Sequence, residues 1–131
     1  VAGSFQKDGV GWEEGLEPKL IKGPDVLLDA VARARERVPE LWLLLTAPAR
    51  GYVKQGLERL GVSYRHVLLG GPDEVADAYS SLDVCLVTSR DEGGPRAVLE
   101  SMATGVPRVT IVMRETCFSC SVSVTVRLSM L

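Results

Sequence analysis

Apolar residues follow two rhythms along this chain, short unbroken runs and longer stretches at helical spacing. Val1 to Phe5 opens as a strand, and Leu41 to Thr46 (LWLLLT), Arg65 to Leu69 and Asp83 to Thr88 (DVCLVT) are further runs of strand length. A run that is apolar at every position offers both faces to a core, which predicts strands covered by helices on each side. Between the runs, Leu27, Leu28, Val31, Ala34 and Val38 keep the helical period in a segment opened by Pro24 and Asp25 and stopped by Pro39. Gly51 to Leu60 predicts a short helix capped by Gly61. Asp73 to Leu82 (DEVADAYSSL) predicts another, entered from the turn Gly70-Gly71-Pro72 that ends the third run.

Strands alternating with helices of this length predict an α/β domain, a doubly wound, Rossmann-like parallel sheet with right-handed crossovers. In that strand order the winding reverses between the first and fourth strands, and ligands bind outside the carboxyl ends at such a switch point. The loop after the first strand, Gln6 to Gly23, is long for a compact domain, which predicts a functional or mobile segment. The loop after the fourth carries Glu92, so the two loops are expected to line one crevice. Trp12 reads as an anchor for the first loop and Trp42 as core.

Glu92 to Pro107 reads EGGPRAVLESMATGVP. A glycine turn with one carboxylate, Glu92, runs into an amphipathic helix, and a second carboxylate, Glu100, follows after seven intervening residues. Pro95 suits the first helical position, because the N–H it lacks would have had no intrahelical partner. That leaves the N–H groups of Arg96 and Ala97 as donors at the positive end of a helix dipole, an arrangement that suits an anion. Ala97, Val98, Met102 and Ala103 are expected to form the apolar stripe, and Gly105 with Pro107 to stop the helix. At a rise of about 1.5 Å per residue, Glu100 stands roughly 7 to 8 Å along the axis from the turn. Two carboxylates at that separation can hold two sugar rings with a phosphate between them. The plain alternative is a surface helix with solvated glutamates.

Composition narrows the classes of function. Fifteen Lys and Arg against seventeen Asp and Glu leave a formal charge of −2 in 131 residues, a poor basis for neutralising many nucleic-acid phosphates. No apolar run approaches the roughly 20 residues that span a bilayer, and no signal segment opens the chain, so a soluble, cytoplasmic protein without a transmembrane segment is expected. Cys85, Cys117 and Cys120 make no even disulfide framework, in keeping with a reducing compartment. The chain begins with Val1 already in strand pattern and reads as a piece of a longer protein.

The stretch from Glu92 to Pro107 closely resembles the signature of the GT-B retaining glycosyltransferases called glycosyl transferases group 1, or family 4. The shared pattern is a Glu-Gly turn, a second Glu after seven residues, then Ala/Ser-Met-Ala-x-Gly-x-Pro, here Ser101 to Pro107. The resemblance covers roughly Val1 to Val109, and it implies one lobe of a GT-B fold, the C-terminal lobe that binds a nucleotide-diphosphate sugar as donor. By that resemblance Glu92 faces the transferred sugar and is the catalytic carboxylate, while Glu100 faces the nucleotide ribose. Lys22-Gly23 matches the Lys-Gly that closes the family's first loop, where the lysine neutralises the donor diphosphate; a solvated loop lysine is the alternative. Gly3 matches the glycine of the first strand. Many relatives follow it with arginine where this chain has Ser4, so Lys7 or Arg96 has to supply a second positive charge. Gly71 and Pro72 match a turn whose backbone touches the base, and Gly93, Gly94, Pro95 and Arg96 complete the donor loop. Members of this fold generally need no metal, and this chain has no Asp-x-Asp motif. No cofactor beyond the donor substrate is implied. The acceptor normally binds an N-terminal domain, which is expected to lie outside this sequence. A binding or remnant module without turnover is the second class of function.

Other signals carry plainer readings. His66 is expected to be packed or half-exposed, and the C-x-x-C spacing of Cys117 and Cys120 has no second pair to make a metal site. The tail from residue 110 departs from the family. From Val122 it alternates Val-Ser-Val-Thr-Val, the period of a half-buried strand for which the fold offers no evident place, and it reads as truncated or frame-shifted.

Overall fold

The structure, a computed structural model, describes residues 1–91, 96–111 and 124–127, with the side chains of 108–111 and 124–127 left aside. Strands β1 (Ala2–Ser4), β2 (Trp42–Leu45), β3 (Ser63–His66), β4 (Val84–Val87), β5 (Arg108–Ile111) and β6 (Val124–Arg127) form one sheet in the order β3-β2-β1-β4-β5-β6. The first five are parallel, and β6 runs antiparallel to β5, with Val109 opposite Val126. Helices α1 (Pro24–Arg37), α2 (Gly51–Leu60), α3 (Pro72–Ser80) and α4 (Arg96–Ala103) make the crossovers.

The apolar runs of the inner strands β2 and β4 pack against a core on both faces, as parallel strands require. Leu43 and Leu45 of β2 join Ala2, with Leu27 and Val31 of α1 and Val53 and Leu57 of α2, in one core. Leu44, between them, points the other way with Cys85 and Val87 of β4, where Tyr79 of α3, Leu82 and Ala97 of α4 cover the sheet. Two cores on opposite faces of one parallel sheet are the doubly wound architecture expected from the sequence. Gly3 lies inside β1, paired with Leu44 and Cys85, and a Cβ there would come 2.3 Å from Leu82 Cδ1, so close packing accounts for the glycine.

Four expectations need correction. The third strand is Ser63–His66 rather than Arg65 to Leu69, and it is a sheet edge with exposed and half-buried residues in alternation. Gly61 closes α2 in the left-handed conformation, Val62 N–H bonds Leu57 O, and the strand starts at once. Its ladder ends where β2 ends, Leu45 opposite His66, so the apolar Val67, Leu68 and Leu69 pass into the loop and Leu68 is exposed. On α4 the buried residues are Ala97 and Ser101, four apart, which turns Met102 outward to 56 % exposure and Ala103 with it. Trp12 is 80 % exposed rather than packed as a loop anchor, and the Lys7 ammonium lies 3.7 Å from its ring centroid. The alternating tail does find a place, since Val124–Arg127 pairs along β5 and an antiparallel edge strand needs no crossover of its own. Trp42 is half-buried against the second core, and His66 Nε2 lies 2.7 Å from Ala47 O.

Backbone hydrogen bonds order the long loop after β1. Val10 N–H bonds Glu17 O at 2.9 Å and Lys19 N–H bonds Asp8 O at 2.7 Å, closing the loop on itself. The carbonyls of Glu14 and Gly15 accept the N–H groups of Gly51 and Tyr52, donors that the first turn of α2 cannot satisfy internally. Beneath it lies Arg50, 1 % exposed, with its guanidinium donating to the carbonyls of Ser4, Gln6 and Thr46 and to Ser4 Oγ. Its Nε is 3.2 Å from Asp8 Oδ1.

Candidate functional site

The residues beyond the carboxyl ends of β1 and β4 form one hydrogen-bonded cluster. The buried Gln6 amide donates to Lys22 O at 2.6 Å and to Thr88 Oγ1 at 3.1 Å, while its own oxygen accepts from Ser89 Oγ at 3.0 Å. Thr88 Oγ1 also donates to Lys22 O at 3.3 Å. Gln6 belongs to the first loop and Thr88 and Ser89 to the fourth, so a single side chain joins the two segments that the topology brings together.

Lys22 ends a 3-10 turn, Leu20–Lys22, and Gly23 follows with φ +64 as the cap of both that turn and α1. A Cβ on Gly23 would stand 1.9 Å from Thr88 O, so only glycine lets this corner lie against the end of β4. Arg90 holds it from the other side: its N–H bonds Ile21 O at 2.8 Å, and its guanidinium bonds Leu20 O at 2.6 Å and both oxygens of Asp25. That hydrogen-bonded contact with Arg90 holds the Asp25 carboxyl below the usual carboxylate range, and burial opposes it. Lys22 itself is half-buried, and its ammonium pKa is pushed down by burial and by neighbouring Lys19. Both effects press against the charged form, and an anion bound there would reverse them.

Glu100 is half-buried on α4, with its Oε2 3.1 Å from the hydroxyl of Tyr79. The same hydroxyl lies 3.3 Å from Ala97 O. Burial raises the Tyr79 phenol pKa, with Cys85 and Glu100 adding to the effect, so the group is a hydrogen-bond donor throughout the physiological range. Arg96 is the exposed first residue of α4. Gly71 is the extended N-cap of α3 with open space where a Cβ would be, and Pro72 follows at the first helical position, exposed. Gly70 N–H is taken by Glu74 Oε2 at 2.7 Å.

Of the residues singled out in the sequence, Lys22 is thus set against the base of the loop that leads to Glu92, and Arg96 and Glu100 share the helix that follows it. Gly3 is enclosed in the sheet. Lys7, one candidate for the second positive charge, is stacked on Trp12. Glu92, Gly93, Gly94 and Pro95 lie outside the described residues, as do Cys117 and Cys120. Gln6, Tyr79 and Arg90 went unmarked in the sequence, because each acts through a partner far away along the chain. A concavity of about 610 Å³ lined by Val10 to Leu16 lies on the first loop and holds none of the candidate residues. Among the described residues, no group of His, Cys, Asp or Glu is arranged to hold a metal ion, and no helix is long and apolar enough to cross a membrane.

Known proteins match in both sequence and shape. The family described as Glycosyl transferases group 1 matches residues 15–118. A D-inositol 3-phosphate glycosyltransferase of Corynebacterium urealyticum is 34% identical, over 68% of this chain and 24% of its own length. The chain therefore spans about a quarter of that relative. Among solved structures, Anabaena Alr3699/HepE in complex with UDP-glucose superposes with a TM-score of 0.60 at 27% identity, covering 84% of this chain and 29% of that one. The catalytic domain of cholesterol-alpha-glucosyltransferase from Helicobacter pylori gives 0.62 at 19% identity, over 83% of this chain and 64% of that one, a likeness of fold.

Proposed function

The chain belongs to the glycosyl transferases group 1, and on that footing we propose that it is the donor-binding lobe of a retaining glycosyltransferase. In this reading a sugar passes from a nucleotide-diphosphate sugar to an acceptor held by a second lobe outside these 131 residues. The observation that carries it is the seating of Lys22-Gly23 on Thr88, with Gln6 and Arg90 joining the same two loops. Cation-bearing and motif-bearing segments meet there at the switch point of a doubly wound sheet, the place where such sheets bind ligands. HepE, solved with UDP-glucose, makes a UDP-linked sugar the first donor to test.

The chemistry follows from the charges that develop. Departure of the nucleoside diphosphate leaves negative charge on its oxygens and oxocarbenium character on the sugar. Lys22, Arg96 and the N–H groups at the start of α4 stabilise the first by fixed electrostatics, which need no reorganisation during the reaction. Glu92 orients the sugar hydroxyls and favours the second, Glu100 takes the ribose hydroxyls, and the backbone at Gly71 and Pro72 borders the base. Gly93, Gly94 and Pro95 belong to the same donor-binding motif. No step calls for a cofactor beyond the donor itself.

The test is calorimetric titration of UDP-, GDP- and ADP-linked sugars, and of the free diphosphates, into the chain. One donor class should bind, and Glu100→Ala should weaken the diphosphate by about 1.5 to 3 kcal/mol, the loss of a charged hydrogen bond. Binding of none would overturn the reading. Glu92→Gln in the longer parent should lower turnover far more than diphosphate affinity, as expected of an interaction made in the transition state. The 131-residue chain alone should transfer nothing, since holding an acceptor in place can account for about 7 to 11 kcal/mol of a barrier.

A further inference from the structure

We infer that Tyr79 is a positioning residue for nucleotide recognition: its buried hydroxyl fixes one oxygen of Glu100 and so presents the other to the ribose. The inference rests on the donor-binding reading above and adds a residue to it. Tyr79 is 0 % exposed, packed among Leu44, Leu82 and Cys85, with Phe5 tilted against it at 4.3 Å between ring centroids. A phenol held this firmly has a fixed oxygen, and that oxygen is 3.1 Å from Glu100 Oε2.

One O–H has one proton to give. The competing acceptor, Ala97 O, is neutral and farther away at 3.3 Å, so the ionised carboxylate takes the stronger bond. A glutamate on a helix surface otherwise samples many rotamers, and binding would have to freeze them. Tying Oε2 to the core removes part of that cost before the ligand arrives, and leaves Oε1 to accept from a ribose hydroxyl. Tyr79 lies near the carboxyl end of α3, whose opposite end carries Gly71 and Pro72. That one helix thus serves both the ribose carboxylate and the turn assigned to the base.

The test compares the affinity of UDP with that of its 2′,3′-dideoxy analogue for the wild-type chain, Tyr79→Phe, Glu100→Ala and the double variant, after a screen of UDP, GDP and ADP sets the base. Phe keeps the ring and its packing, and the thermal midpoint of each variant is followed alongside. The wild type should prefer the ribose form by about tenfold or more, and Tyr79→Phe should cut that preference by about three- to tenfold while leaving dideoxy affinity unchanged. Glu100→Ala should abolish the preference, and adding Tyr79→Phe to it should change nothing further. An unchanged preference in Tyr79→Phe, or an equal loss for both ligands, would overturn the role of Tyr79. Should the wild type bind none of the diphosphates, or not distinguish the two sugars, the reading of Glu100 itself falls and this inference with it.

Discussion

Arg50 carries a full charge into a place closed to water, and the fold surrounds it with oxygen: three carbonyls, the Ser4 hydroxyl and the Asp8 carboxylate. The backbone it holds is the start of the first loop and the end of β2, so a charge in the core becomes a fixture for the loop that ends in Lys22. Replacing Arg50 by Met leaves Asp8 buried and unpaired, and urea unfolding should report a loss of about 3 to 5 kcal/mol. The Asp8 carboxylate accepts no hydrogen bond from another of the described residues, and burial lifts its pKa to about 6 against the pull of Arg50. A carboxyl whose pKa is higher folded than unfolded favours folding when protonated. Its contribution is complete below about 3.9, the unfolded value, and is lost as pH rises through about 6. Relative to Asp8→Asn, the wild type should therefore lose stability between about pH 4 and pH 7; a parallel pH dependence of the two would show that Asp8 is already ionised at the lower end. Neither residue stands out in the sequence, because each is defined by partners distant along the chain. The same reason hid Tyr79, whose partner sits on another helix, and made Trp12 read as an anchor.

The corner from the 3-10 turn into α1 shows how local geometry places a candidate side chain. Gly23 needs both its left-handed backbone and its missing Cβ, since the neighbour at 1.9 Å is the Thr88 carbonyl and cannot swing aside. Gly11 has φ +79 but nothing within 4 Å of a Cβ, so it isolates the conformational part. Gly11→Ala should cost only about 1 to 2 kcal/mol. Gly23→Ala should cost clearly more and also weaken diphosphate binding, because Lys22 moves with the corner; equal losses in the two variants would contradict this. Helices and inner strands were legible because period and capping residues are local. The edge strand was not, since the apolar Val67 to Leu69 outweighed a pairing that depends on where β2 stops. The outward turn of Met102 on α4 was missed for a related reason: which stripe is buried is decided by the sheet, through Ala97 and Ser101.

Taken whole, the molecule is a sheet with two cores and one reversal of winding, and both could be read from strands apolar on each face. The meeting of the first and fourth loops was equally legible from topology. What the sequence could not supply is the set of contacts that fixes it, Gln6 to Thr88 and Ser89 and Arg90 to Asp25, each joining residues 65 or more positions apart. Nor could it supply a partner for the tail, because β6 is defined only by its pairing with β5. The proposed function requires ligand to enter at this end of the sheet and nowhere else. Amide chemical-shift mapping of the ¹⁵N-labelled chain with UDP tests that most directly. Shifts should concentrate at Lys22 and Gly23, Gly71, Thr88 to Arg90 and Arg96 to Glu100, and should fade in Glu100→Ala at the same UDP concentration. Shifts confined to the Val10 to Leu16 loop or to the opposite end of the sheet, or none at saturating UDP, GDP and ADP, would contradict the donor-site assignment.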